Sequence, residues 1–159
     1  MLKLWLARHG ESVDPDESPT DFDRVLTDNG RRQVTELTRW LTTRDPHPEL
    51  ILHSPLVRAR QTAEAMANEI GSEFITLRVE NALSPGVDAQ RLLRTLASLD
   101  VERVVCVGHQ PDMSHCLAEM IGGGDVGFMP GTIAGIEFPG PIVLHGGRLR
   151  WLADPQWFR

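Results

Sequence analysis

Four short strand-like runs, each followed by a stretch with helical periodicity, constrain this chain more than any other feature. The runs are LKLWLA at 2–7, ELILHS at 49–54, EFITLRV at 73–79 and RVVCVGH at 103–109. Helical spacing follows the first over about 28–43, with Val34, Leu37, Trp40 and Leu41 on one face and Thr27 as the N-cap. After the second run, Ser54 followed by Pro55 reads as an N-cap with proline at the first helical position. That helix extends to Ile70 and stops at Gly71, with Ala59, Ala63, Met66 and Ile70 inward.

After the third run, Asp88 is placed to cap a helix through Leu99 that carries Leu92, Leu93 and Leu96. After the fourth, Asp112 is placed to cap a helix with Met113, Leu117, Met120 and Ile121 inward, ending at glycines 122–124. Two further strands, TIAGIEF at 132–138 and GRLRWL at 147–152, are joined by a turn rich in glycine and proline. The alternation predicts an α/β fold: a three-layer α/β/α sandwich with a largely parallel central sheet. At 159 residues, with no repeat or linker, one domain spanning 1–159 is expected. The polar segment DPDESPTDFDR at 14–24 lacks periodicity, and reads either as a segment beside a site or as a surface connection.

Charge and composition exclude several classes. The net charge of −6 argues against nucleic acid or an anionic membrane as partner, although it leaves room for a locally positive pocket. Cys106 and Cys116 sit in apolar surroundings and read as reduced core thiols, as in a cytoplasmic protein. The apolar stretch Leu4–Ala7 after Lys3 is too short for a secretory signal, and no run approaches the roughly 20 apolar residues of a membrane span. Trp151 and Trp157 are read as core cover for the sheet edge, with subunit contact as the alternative.

In such sheets ligands bind beyond the carboxyl ends of the strands. Arg8 and His9 end the first strand, His109 ends the fourth after Gly108, and Arg58 falls in the first turn after the second. If those strands are parallel neighbours, two arginines and two histidines meet at one edge, where they repel one another unless an anion lies between them. A phosphoryl group suits them. Arginine offers a planar fork that stays charged, and histidine is a neutral nucleophile or proton donor near pH 7. Taken singly, a histidine ending a strand is usually a structural hydrogen-bonder and an arginine on a helix is usually solvated. His53, His115 and His145 keep that plain reading, and no histidine pair has metal-ligand spacing, so no metal is expected.

These segments resemble a known family. ARHGES at 7–12, SPLVRARQTAEAM at 54–66 and VGHQP at 107–111 resemble, in order, the three signatures of the histidine phosphatase superfamily, the phosphoglycerate mutase-like fold. LTDNGRRQ at 26–33 is similar to that family's first helix, and the short length, LSP at 83–85 and the ending GRLRWLADP resemble its SixA-type phosphohistidine phosphatases. The resemblance implies His9 as nucleophile, with Arg8, Arg58 and His109 on the phosphoryl oxygens and the Gly10 carbonyl orienting the imidazole. It implies no metal or organic cofactor.

One departure bears on the substrate. Many members carry a glutamate general acid after the third strand, and VENALSPGVDAQ at 79–90 has no clear counterpart. Glu80 reads as the strand's end and Asp88 as a helix cap, which leaves both as weak candidates, and Glu11 is not assigned. An alkoxide leaving group gains about 10²–10⁴-fold from a proton donor. Imidazole, whose conjugate acid has a pKa of about 6.5, needs far less help. The expected activity is therefore phosphatase action on a histidine-phosphorylated protein domain. A small phosphomonoester as substrate and a non-catalytic phospho-binding module are the alternatives.

Overall fold

The structure, a computed structural model, describes residues 1–158. Its elements run β1 (Leu2–Arg8), α1 (Asp28–Thr42), β2 (Leu50–His53), α2 (Val57–Ile70), β3 (Thr76–Val79), α3 (Ala89–Ala97), β4 (Arg103–Gly108), α4 (Asp112–Ile121), β5 (Ile133–Phe138) and β6 (Arg148–Ala153). One six-stranded sheet has the order β3-β2-β4-β1-β5-β6. The pairings β1 with β4, β4 with β2 and β2 with β3 are parallel, whereas β5 is antiparallel to both β1 and β6. The glycine- and proline-rich connection before β6 is too short for a crossover, so those two strands form a hairpin.

Alternation along β1 explains the layers. Leu2, Leu4 and Leu6 pack on one face with α3 and α4 residues such as Leu92, Leu96, Met113 and Leu117. Trp5 and Ala7 pack on the other with Val34, Leu37 and Leu41 of α1 and Ala59, Ala63 and Met66 of α2. Both faces are buried, as expected for parallel strands that are apolar in succession. The molecule is thus the three-layer α/β/α sandwich that the alternation predicts.

Several local expectations are corrected. Ser54 does not cap α2: the helix begins at Val57 with Leu56 at the N-cap, and the Ser54 hydroxyl accepts from the Leu56 N–H and lies against His109. Asp112 is the first residue of α4 rather than its cap, and its carboxylate accepts from the backbone N–H groups of Gly86 and Val87, fastening the preceding loop to the helix. β3 spans only Thr76–Val79, because β2, its one partner strand, offers four residues to pair with. Helix α3 stops at Ala97, two residues short of Leu99. Asp88 does cap α3, accepting from the Gln90 N–H at 2.9 Å, and Thr27 caps α1 through the Gly30 N–H.

Cys106 and Cys116 are free and buried, and burial raises both thiols well above the range in which a thiolate forms. Trp151 packs edge-to-face on Trp5, with ring centroids 5.7 Å apart, as core cover. Trp157 departs from that expectation and is 63% exposed. All four tryptophans line a cavity of about 650 Å³ beside the N-terminal half of β1, away from the strand ends that carry Arg8, His9 and His109. No helix among the described residues is long and apolar enough to cross a membrane.

Candidate active site

The order β2-β4-β1 brings the carboxyl ends of three parallel strands side by side. His9 follows β1, His109 follows β4, and Arg58 stands in the first turn of α2, which follows β2. All three, with Arg8, line one cavity of about 260 Å³ that Ser12, Arg24 and Gln110 also border. His9, Arg58 and His109 are buried.

Both nitrogens of His9 have defined partners. Nδ1 lies 2.8 Å from the Gly10 carbonyl oxygen, which can only accept, so Nδ1 carries the proton. Nε2 lies 3.2 Å from Nε of Arg58, a donor, so Nε2 presents a lone pair. Burial first, and the neighbouring His109, Arg58 and Arg8 after it, lower the His9 pKa to about 3. The ring is therefore neutral at physiological pH, with its unprotonated nitrogen in the pocket.

The two arginines are held by different parts of the chain. Arg8 Nη1 donates to the Phe128 carbonyl at 2.8 Å, while its Nε is buried and has no partner among the described residues. Arg58 Nη1 donates to the Asp21 carbonyl at 2.8 Å, and Nη2 meets the Asp21 carboxylate at 3.3 Å. Burial, and Arg58 after it, lower the Arg8 pKa, and burial lowers that of Arg58. This is the electrostatic signature of a cluster built for an anion. The His109 ring lies 5.2 Å from that of His9, centroid to centroid, and its Nε2 is 2.7 Å from the Ser54 hydroxyl.

Supporting contacts fix the backbone beneath the pocket. The Thr62 hydroxyl accepts from the Gly10 N–H at 3.0 Å and donates to the Arg58 carbonyl at 2.8 Å, so one side chain ties the end of β1 to α2. The Gly131 N–H donates to the His9 carbonyl. Glu11 is held by Thr27 and Asn29 at the start of α1. Neither Glu80 nor Asp88 lines the cavity.

The structure thus brings Arg8, His9, Arg58 and His109 together and sets Glu80 and Asp88 apart. It adds Asp21, Ser54 and Thr62. Thr62 was within reach of sequence reasoning, because it lies one helical turn after Arg58 on the same face. Asp21 was not, because segment 14–24 has no periodicity from which to place it, and the Phe128 carbonyl carries no side-chain signal.

Comparison with known proteins agrees with this geometry. The profile of the histidine phosphatase superfamily (branch 1) matches residues 4–84, just over half of the chain. An uncharacterized protein of Picosynechococcus is 37% identical over 171 aligned positions, covering 98% of both chains. The phosphohistidine phosphatase SixA of Escherichia coli strain K12 is 26% identical, covering 77% of this chain and 76% of its own. A solved structure of the protein histidine phosphatase SixA complexed with tungstate superposes with a TM-score of 0.85 at 25% identity, covering 99% of this chain and 100% of that one. With the signature segments and the six-stranded architecture in agreement, the chain belongs to branch 1 of the histidine phosphatase superfamily and is a SixA-like phosphatase.

Proposed function

We propose that this chain removes a phosphoryl group from a phosphorylated histidine on a protein, by way of a phosphohistidine formed on its own His9. The observation that carries the reading is the state of His9. Its Nδ1–H is locked on the Gly10 carbonyl, and its Nε2 lone pair shares the pocket with Arg8 and Arg58.

In the first step the Nε2 lone pair attacks phosphorus, the bond from phosphorus to the substrate nitrogen breaks, and that nitrogen leaves with the bonding pair as a neutral imidazole, whose proton is the one already carried by the other ring nitrogen of the substrate. Charge spread over the three remaining oxygens meets the guanidinium groups of Arg8 and Arg58 and an N–H of His109. In the second step water attacks phosphorus, the bond to His9 Nε2 breaks, and phosphate leaves while the ring regains its lone pair.

The leaving group favours phosphohistidine over an alkyl phosphate. Glu11 is the acidic side chain among the described residues that line the cavity, and its carboxylate is engaged by Thr27 and Asn29. Asp21, nearest to Arg58, is held charged by hydrogen bonds from Arg24 and Arg58, which keep its pKa below the ordinary carboxylate value. Neither is suited to protonate an alkoxide, whereas imidazole leaves with little help. The names of the SixA relatives, a phosphohistidine phosphatase and a protein histidine phosphatase complexed with the tetrahedral anion tungstate, support the same substrate class.

The test compares wild type and His9→Ala on a radiolabelled histidine-phosphorylated domain, on a phosphoramidate and on an alkyl phosphate. Wild type should form an acid-labile phosphoprotein, and should cleave the phosphorus–nitrogen substrates faster than the alkyl phosphate. The variant should do neither. Turnover by His9→Ala would overturn the nucleophile assignment. Faster cleavage of the alkyl phosphate would assign a small phosphomonoester instead, and binding without any hydrolysis would leave only a phospho-binding module.

A further inference from the structure

We infer that Ser54 is a positioning residue that holds His109 in the tautomer with its proton on Nδ1, so that this N–H serves as a neutral donor to the phosphoryl group. The inference rests on the phosphoryl-transfer reading of the pocket and assigns a task to a residue outside the four basic side chains.

Ser54 is fully buried at the end of β2. Its hydroxyl oxygen accepts from the Leu56 N–H at 3.2 Å and lies 2.7 Å from His109 Nε2. One hydroxyl proton remains to be placed, and among the described residues Nε2 is its one acceptor. Were Nε2 protonated instead, the serine proton would be buried without a partner, at a cost of about 1–3 kcal/mol. The proton therefore sits between Ser54 and Nε2, and the ring's own proton sits on Nδ1.

The other end of the ring agrees. His109 Nδ1 is buried and has no hydrogen-bond partner among the described residues, in a ring that lines the same cavity as His9 and Arg58. A buried donor without a protein acceptor is costly, and an anionic oxygen in the cavity satisfies it. Burial, and Arg58 after it, lower the His109 pKa to about 4, so the ring meets the substrate uncharged. A neutral imidazole donates a hydrogen bond but is a weak proton donor, which accords with a leaving group that needs no acid. The same hydroxyl oxygen accepts from the Leu56 N–H, so Ser54 braces the turn that leads into α2 without being its N-cap.

Nitrogen NMR of ring-labelled histidine in the wild-type protein reads the tautomer directly. The expected result at neutral pH is a protonated Nδ1 and an unprotonated Nε2 at His109. A protonated Nε2 would overturn the inference whatever the substrate proves to be. In Ser54→Ala the two tautomers should mix and kcat should fall about 10-fold or more with KM little changed, since a wrong tautomer disables an otherwise intact site. Ser54→Thr, which keeps the hydroxyl, should restore both the wild-type spectrum and most of kcat. A Ser54→Ala protein with wild-type kcat and an unmixed spectrum would also overturn it. Failure of the phosphoryl reading is registered separately, by turnover in His9→Ala.

Discussion

Nε of Arg58 lies 3.2 Å from Nε2 of His9, so the arginine caps the lone pair of the proposed nucleophile. The same guanidinium donates through Nη1 and Nη2 to Asp21, which leaves no nitrogen of Arg58 unengaged. A phosphoryl group entering the pocket therefore exchanges partners with an arginine that is already in place. Preorganised charge of this kind needs little rearrangement at the moment of reaction.

Replacing Arg58 by lysine keeps a positive charge and discards the fork. A single ammonium cannot reach His9 Nε2 and Asp21 together, nor match two phosphoryl oxygens. The expected loss in kcat is about 10²–10³-fold, as for removal of one transition-state donor. Steady-state kinetics on a phosphoramidate check this, with circular dichroism as the folding control. Activity within threefold of wild type would mean that Arg58 supplies bulk charge only.

Asp21→Asn should tighten binding of phosphate-like anions. The change removes a negative charge 3.3 Å from Arg58 Nη2 and leaves the backbone carbonyl bond to Nη1 in place. The carboxylate side chain is 63% exposed, so the pair is worth at most about 1 kcal/mol. Titration calorimetry with tungstate should show roughly two- to fivefold tighter binding. Weaker binding would show instead that Asp21 aims the arginine more than it competes with the ligand.

Acid should weaken the fold before its carboxylates titrate. Burial leads the causes that lower His9 to about 3 and His109 to about 4, from 6.5. Below pH 6.5 the unfolded chain binds two protons that the folded pocket refuses. Stability is thus complete above pH 6.5 and falls as the pH drops towards 4, with a slope approaching about 1.4 kcal/mol per pH unit for each histidine. Urea midpoints between pH 7.5 and 5.0 measure it, and His109→Gln should reduce the slope by about half. Midpoints that stay flat over that range would contradict the two depressed values.

Gly30→Ala tests the joint between the start of α1 and the backbone after β1. A Cβ at Gly30 would overlap the Glu11 carbonyl oxygen and lie 2.9 Å from the Glu11 nitrogen, so neither side can yield by turning a rotamer. A destabilisation of about 2–4 kcal/mol is expected by chemical denaturation, in the range of severe overpacking. Gly127→Ala is the control: a Cβ there meets nothing within 4 Å, and it should be close to neutral.

Much of this protein is legible in its sequence, and the legible part is local. Apolar alternation places Leu4 and Leu6 on one face of β1 and Trp5 and Ala7 on the other, as the two cores show. Periodicity places the inward stripes of α1 and α2, and the caps at Thr27 and Asp88 follow from side chains two or three residues from the N–H groups they accept. Arg8, His9 and His109 announce themselves by standing where apolar strands end. Each of these inferences needs only neighbours along the chain, because strand and helix geometry repeat over two to four residues.

Ser54 and Asp112 mark where that reasoning ends. Each has the composition of an N-cap, and each meets a partner from another segment: the Ser54 hydroxyl lies against His109 Nε2, and the Asp112 carboxylate accepts from the loop at Gly86 and Val87. Asp21 on Arg58 and the Phe128 carbonyl on Arg8 are likewise products of assembly. By itself the sequence determined the elements, the buried faces and the basic residues at the strand ends. The tertiary structure decided which distant group each of those residues meets, because the order β2-β4-β1 brings remote segments within hydrogen-bond reach, and a single buried hydroxyl or carbonyl can then satisfy only the partner that packing delivers.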